Sequence, residues 1–323
     1  MGELSQYHPS SEQRELAAGF ERPLEELLPL ARLHEQPAGE SDARWSSIAE
    51  IGLFGIGLSE DVGGSGLGSA EEVLLAERLG RQLASPSLLA TLSAGHADDP
   101  ALASRIAVGE LRVAGGWRRD GELRVIDGEG AELALILDDD KAVLTAVTKG
   151  EALDGRLWAC SLQAVPAGDA VASLTGRALL RARLVLAAAL CGIAGAATDM
   201  AVAYAGMREQ FGRPIGAFQA VKHHCANMAL AARSALDLVT FAAVAVDNDR
   251  EDAAFQTEAA LLLAIEAALK NARTNIQVHG GMGFSDEADA HLLVKRAHGL
   301  AAIAGGGEAA AARLGPLPGA MRA

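Results

Sequence analysis

From residue 10 to 106, apolar positions recur every three or four residues, the period of a helix buried on one face. The stretch "SSEQRELAAGFERPLEELLPLARL" opens this region. "SDARWSSIAEIGLFGI" predicts a second helix, with Asp42 placed to cap it and Gly52 near its end. In "SEDVGGSGLGSAEEVLLAERLGRQL" a glycine-rich turn leads into a third. Ser69 is its expected N-cap, and Glu71 and Glu72 suit the positive end of the helix dipole. After 106 the period falls to two. "ELRVAGGW", "GELRVIDG", "AELALILDD" and "KAVLTAVTKG" are short β-branched runs divided by Gly and Asp, which predicts a small antiparallel β-domain. Beyond 178 the helical period returns in four long stretches. The first is expected to run to about Gln210, the second to start at Phe218 and Gln219, the third to end at Gly280, and the fourth to cover "DEADAHLLVKRAHGLAAIA". Short connections make these an antiparallel bundle. The expected fold is mainly α with a small β-domain: a helical N-domain over 1–106, a middle β-domain over 107–178 and a C-terminal helical bundle over 179–323.

Composition narrows the function. The 323 residues are half hydrophobic, enough for a sizeable core, and carry a net charge of −14. That charge argues against nucleic acid, which selects a basic face. Any phosphate-binding site must gather local cations against this background. Cys160, Cys191 and Cys225 have no metal-ligand spacing and suit a reducing cytoplasm. The first residues are polar and acidic, without a signal core, so a cytoplasmic protein is expected. The most apolar run, Leu184 to Ala197, is shorter than the roughly 18 residues of a membrane span, so a buried core helix is expected and no membrane partner.

Two constellations carry candidate chemistry. In "MREQFGRPIGAFQ", Gly212 and Pro214 end a helix and the turn presents Arg208, Phe211 and Gln219 together. A guanidinium fork can take a pyrophosphate, the ring can pack on a flat group, and the amide can bond a polar edge. The same pattern also fits a plain helical corner, with Arg208 salt-bridged and Phe211 in the core. In "NIQVHGGMGFSDE", Gly280 and Gly281 allow close backbone approach to a phosphate, and Gln277 lies one turn earlier. A simple C-cap and loop would give the same glycines. "CGIAGA" lacks the G-x-G-x-x-G spacing, and "GGSG" at 63–66 lacks the lysine of a P-loop. His223 and His224 are adjacent and point to different helix faces, so they do not share a metal. No metal site is expected.

"WSSIAEIGLFGIGLSEDVGGSGLGSAEEVLLAERLGR", "REQFGRPIGAFQAVKHHCANMAL" and "QVHGGMGFSDEADAHLLVKRA" together resemble the acyl-CoA dehydrogenase family along nearly the whole chain, in the family's order. The resemblance implies FAD, an acyl-CoA substrate and α,β-dehydrogenation. It also implies a catalytic glutamate at one of two positions, which here are Gly305 and Ala182; neither accepts a proton. The Thr/Ser-rich strand segments that hold the flavin ring are missing from "GAELALILDDDKAVLTAV". The residues that reach a neighbouring subunit's FAD in the family, Arg208, Phe211, Gln219, Gln277, Gly280 and Gly281, are all present. The pattern resembles the non-catalytic subunit of an α2β2 acyl-CoA dehydrogenase of the bacterial steroid side-chain type. Its expected partner is a second chain with the glutamate, and FAD is shared between them. Two alternatives are an active homo-oligomer using Glu308 as a displaced base, and a flavin-free scaffold.

Overall fold

A computed structural model describes residues 8–35, 39–119, 121–147, 151–154, 162–165 and 168–319. Cys160 lies outside them. The first predicted helix divides into α1 (Ser11–Gly19), α2 (Glu21–Leu27) and α3 (Arg32–Glu35), then α4 (Asp42–Glu50), α5 (Ser69–Arg81), α6 (Pro86–Ala94) and α7 (Pro100–Ala107) follow. The N-cap of α4 is Ser41, whose hydroxyl accepts from the Arg44 amide; Asp42 is already helical.

The cap of α5 also differs from expectation. Gly68, not Ser69, precedes the helix, and the capping carboxylate comes from far along the chain. Asp247 accepts from the Ser69 and Ala70 amides at 2.7 and 2.9 Å. A Cβ on Gly68 would meet that carboxylate at 2.7 Å, so a residue without one makes room for it. A remote anion at the helix N-terminus does what a local serine does elsewhere.

The middle strands are β1 (Val113–Arg119), β2 (Glu122–Ile126), β3 (Leu133–Leu137), β4 (Ala142–Ala146), β5 (Glu151–Asp154), β6 (Leu162–Val165) and β7 (Ala170–Leu174). They form one sheet in the order β5-β6-β2-β1-β3-β4-β7. The sheet is not purely antiparallel: β1 pairs with β3 in parallel, Gly115 opposite Leu135. Side chains alternate between faces. Leu133, Leu135 and Leu144 join the main core, while Ala134, Ile136 and Val143 join a small core on the other face.

The bundle consists of α8 (Gly176–Met207), α9 (Gln219–Asp247), α10 (Ala253–His279) and α11 (Ala290–Ile303), followed by a further helix, α12 (Gly306–Leu314), opened by three glycines. The α8 and α9 helices are each long and apolar enough to cross a membrane, so length does not exclude a span as the apolar run alone suggests. Burial distinguishes them. The apolar window of α8 is 78% buried inside the protein, whereas that of α9 is 44% buried and leaves Leu230 exposed. The α5 and α8 helices cross with almost no gap. A Cβ at Gly80 would overlap the Ala189 carbonyl oxygen, and one at Gly192 the Glu77 carbonyl oxygen. Because both obstacles are backbone, Gly80→Ala is expected to destabilise by roughly 2–3 kcal/mol or more. A thermal melt matching that of the unsubstituted chain would refute this close contact.

Candidate cofactor site

The first constellation is a protruding hairpin. Helix α8 ends at Met207, three residues before Gln210, because Arg208 turns to extended backbone. β8 (Glu209–Gln210) then pairs with β9 (Arg213–Pro214) around Phe211 and Gly212. Both turn residues have positive φ, +54° and +76°, the geometry of a tight two-residue hairpin. Glycine adopts this freely; for a bulky ring it is an outlier, and such outliers cluster at functional sites. Phe211 is 92% exposed, not in the core. It meets Phe218 edge-on at 6.1 Å, and the Arg213 guanidinium lies 4.3 Å over the Phe218 ring. Arg208 is exposed, and among the described residues its guanidinium has no ion pair. Gln219, the first residue of α9, is also exposed. The salt-bridged corner with a buried ring is therefore not what forms. Three groups of the right chemistry are held toward solvent.

The second constellation sits at the same end of the bundle. Tyr204, in the last turn of α8, stacks on His279, the last residue of α10, with centroids 4.1 Å apart. Asn275 bonds the Met200 sulfur at 3.2 Å, tying the same two helix ends together. Gly280 follows with φ +61°, and neither it nor Gly281 has an atom within 4 Å of where a Cβ would be. A cavity of about 440 Å³ opens there, lined by Gln277, Gly280, Gly281, Arg273, Phe284 and Lys295 among others. Arg208 is not part of its lining. Arg273, His291 and Lys295 are site residues that the motif reading misses. Helical spacing reveals them, since Arg273 precedes Gln277 by four and His291 precedes Lys295 by four.

Neither residue expected at a glutamate position, Ala182 or Gly305, is an acid. Ala182 is fully buried in the main core. Gly305 has φ +84°, caps α12, and lines a second cavity of about 520 Å³ between the sheet and the bundle. Glu308 is exposed in the first turn of α12. The best-formed acid nearby in the fold is structural: Glu72, buried, bonds His96 at 2.7 Å and Arg181 at 3.0 Å. Burial pushes its carboxyl up, but His96 and Arg181 together bring it below the ordinary range. Among the described residues no cluster of His, Cys, Asp or Glu fits a metal.

The family models for the acyl-CoA dehydrogenase N-terminal and C-terminal domains match residues 10–100 and 172–315. Acyl-CoA dehydrogenase IpdE2 of Mycobacterium tuberculosis is 31% identical over 290 residues, covering 82% of this chain and 83% of that protein. The chain belongs to the acyl-CoA dehydrogenase family. Acyl-CoA dehydrogenase FadE34 of the same organism is 36% identical over 296 residues, 83% of this chain, and the chain spans 41% of that relative's length. Among solved structures, the ChsE4-ChsE5 complex from Mycobacterium tuberculosis matches with TM-score 0.76 at 21% identity, over 96% of this chain and 98% of that one. The Tcur3481-Tcur3483 steroid ACAD G363A variant matches with TM-score 0.72 at 24% identity, over 94% and 96%. At these identities the two structures establish the fold. The acyl-CoA dehydrogenase family is one of FAD-dependent oxidoreductases, and the open glycine turn, its cationic rim and the exposed Arg208 fit the nucleotide portion of FAD.

Proposed function

We propose that this chain is the flavin-completing subunit of a heteromeric acyl-CoA dehydrogenase and does not supply the catalytic base. The observation that carries the reading is a contrast within one molecule. The exposed hairpin and the open glycine turn are built, while Gly305 and Ala182 stand where a carboxylate is required. Bound FAD would supply the hydride acceptor of the dehydrogenation. Arg208 would fork onto its pyrophosphate, Phe211 would pack against a flat face, and Gln219 and Gln277 would bond polar edges. Gly280 and Gly281 let the backbone N–H groups approach. These groups point away from their own core, so the FAD they serve is shared with a second, acyl-CoA dehydrogenase-like chain that carries the glutamate. Two fold neighbours carry paired names in their titles, and one is a steroid ACAD, which supports a two-chain assembly acting on a bulky, steroid-type acyl-CoA; a cytoplasmic heterotetramer is part of the same proposal. FadE34 extends well beyond the matched portion, which leaves room in one polypeptide for a partner module.

Arg208→Ala in the assembled complex is expected to weaken FAD retention about tenfold or more, read by flavin release on dilution. Unchanged affinity would remove the pyrophosphate role.

A further inference from the structure

The bundle core is apolar, yet one seam of α10 is not. Asn271, Asn275 and His279 follow one another every four residues and share a face. Both asparagines are fully buried. Asn271 donates to the Thr198 hydroxyl and the Ala194 carbonyl of α8, each at 3.2 Å, and to the Met228 carbonyl of α9 at 2.8 Å. Asn275 donates to the Met200 sulfur, and His279 stacks on Tyr204. Partner numbers on α8 climb with those on α10, so the two helices run parallel and end side by side, at Met207 and His279.

That ending is a poor bed for an anion. A helix C-terminus presents carbonyl oxygens and a partial negative charge, and here two of them are neighbours. Helix dipoles do not draw a phosphate to this place, so a cation has to be held beside the glycine turn. Arg208 carries that cation on a fixed backbone. Its amide donates to the Tyr204 carbonyl at 2.8 Å, and its carbonyl accepts from the Ile215 amide at 2.7 Å. Tyr204 thus serves both constellations: its carbonyl anchors Arg208 and its ring anchors His279. His279 is held from other sides as well. Its Nδ1 donates to the Asn275 carbonyl at 2.9 Å, and Gly283 folds back so closely that a Cβ there would sit 3.1 Å from the His279 Cβ. Gly280, between them, has φ +61° and ψ −137°, a region open essentially to glycine alone. The hairpin and the turn are far apart in sequence, and this ring pair joins them.

We propose that the Tyr204–His279 stack is a positioning contact: it sets Arg208 at a fixed separation from the Gly280–Gly281 turn, so that one dinucleotide meets both. The proposal rests on the flavin-completing reading and adds two positioning residues to it. Neither ring lines the cavity at the turn, so each acts through its neighbour.

The test reads FAD release on dilution from the assembled complex. Tyr204→Leu and His279→Leu, which keep bulk and lose the stack, are each expected to weaken FAD about two- to tenfold, the worth of an aromatic pair. Tyr204→Phe and His279→Phe keep both rings and should stay within about twofold of the parent. A double-mutant cycle separates positioning from packing. With Arg208→Ala already in place, Tyr204→Leu should weaken FAD by less than about twofold more, because the contact has lost the group it places. Equal losses in both backgrounds mean that the rings only pack, and overturn the proposal. Should Tyr204→Leu not assemble, His279→Leu carries the same cycle. Hydrogen exchange on the flavin-free protein gives an independent measure. The Ile215 and Ser285 amides are bonded within the two turns, to the Arg208 and Met282 carbonyls. Both should exchange faster in Tyr204→Leu, and an unchanged rate at either one overturns the coupling. If Arg208→Ala loses FAD while Tyr204→Leu retains it, the positioning role fails and the flavin-completing role survives. If Arg208→Ala retains FAD, the pyrophosphate role fails and the positioning role falls with it.

Discussion

Turnover of an acyl-CoA thioester by the purified chain alone is expected to lie at least about a hundredfold below that of the same chain assembled with a glutamate-bearing partner. The size follows from what a positioned general base contributes, typically about 10²–10⁴-fold. Ala182 is sealed in the core, so no solvent-borne base reaches that position. Gly305 sits at φ +84°, a conformation glutamate rarely adopts, and a Cβ there would already press on Ala309 at 3.3 Å. Restoring the family residue by Gly305→Glu is therefore expected to strain the turn and to recover little activity. Glu308 is the remaining acid on the same loop, and it faces solvent in the first turn of α12, where it stabilises the helix dipole. Glu308→Gln in the complex should leave kcat unchanged. Full dehydrogenation by the lone, flavin-loaded chain that disappears with Glu308→Gln would establish the displaced base and end the subunit reading.

The sequence carries these site residues unevenly, and the reason is range. The paired glycines at 280–281 and the break after α8 are legible because glycine and proline act on their own backbone. The period of two in "AELALILDD" is legible because a strand's faces alternate whatever it pairs with. The parallel pairing of β1 with β3 is not, since nothing in either strand records its neighbour. The cap of α5 is hidden for the same reason: the serine at 69 is a local signal, and the carboxylate that wins lies on α9. The exposed Phe211 shows the converse. Its residue type predicts burial, and only the positive-φ hairpin turns it outward. Arg273 lies before the last quoted stretch and Lys295 near its end, and they become a site only when α10 and α11 are laid side by side.

Glu258→Ala is expected to cost about 3–5 kcal/mol, the largest stability loss of any single acid in the bundle. Glu258 sits between two guanidinia, Arg183 at 2.5 Å and Arg313 at 2.9 Å, with side chains 1%, 5% and 10% exposed. Burial pushes the Arg183 guanidinium down from its ordinary value, Arg313 adds to that, and the Glu258 charge opposes both. With the carboxylate gone, the two buried cations keep only the exposed Asp139 carboxylate, 3.5 Å from Arg313, as a counter-charge. The Asp138 and Asp139 carbonyls still accept from Arg183 at 2.8 and 2.7 Å, but they are dipoles and not charges. At roughly 2–4 °C per kcal/mol, the melting temperature should fall by on the order of 10 °C. Glu258→Gln, which keeps the shape and one acceptor, should fall by less. The damage should also reach the second cavity. Arg313 holds α12 against α10 through Glu258 and donates to the Ala304 carbonyl at 3.5 Å, beside the glycines that close the larger cavity. An alanine variant that melts with the parent would mean that the two arginines find other partners and that the ion cluster does not anchor this corner.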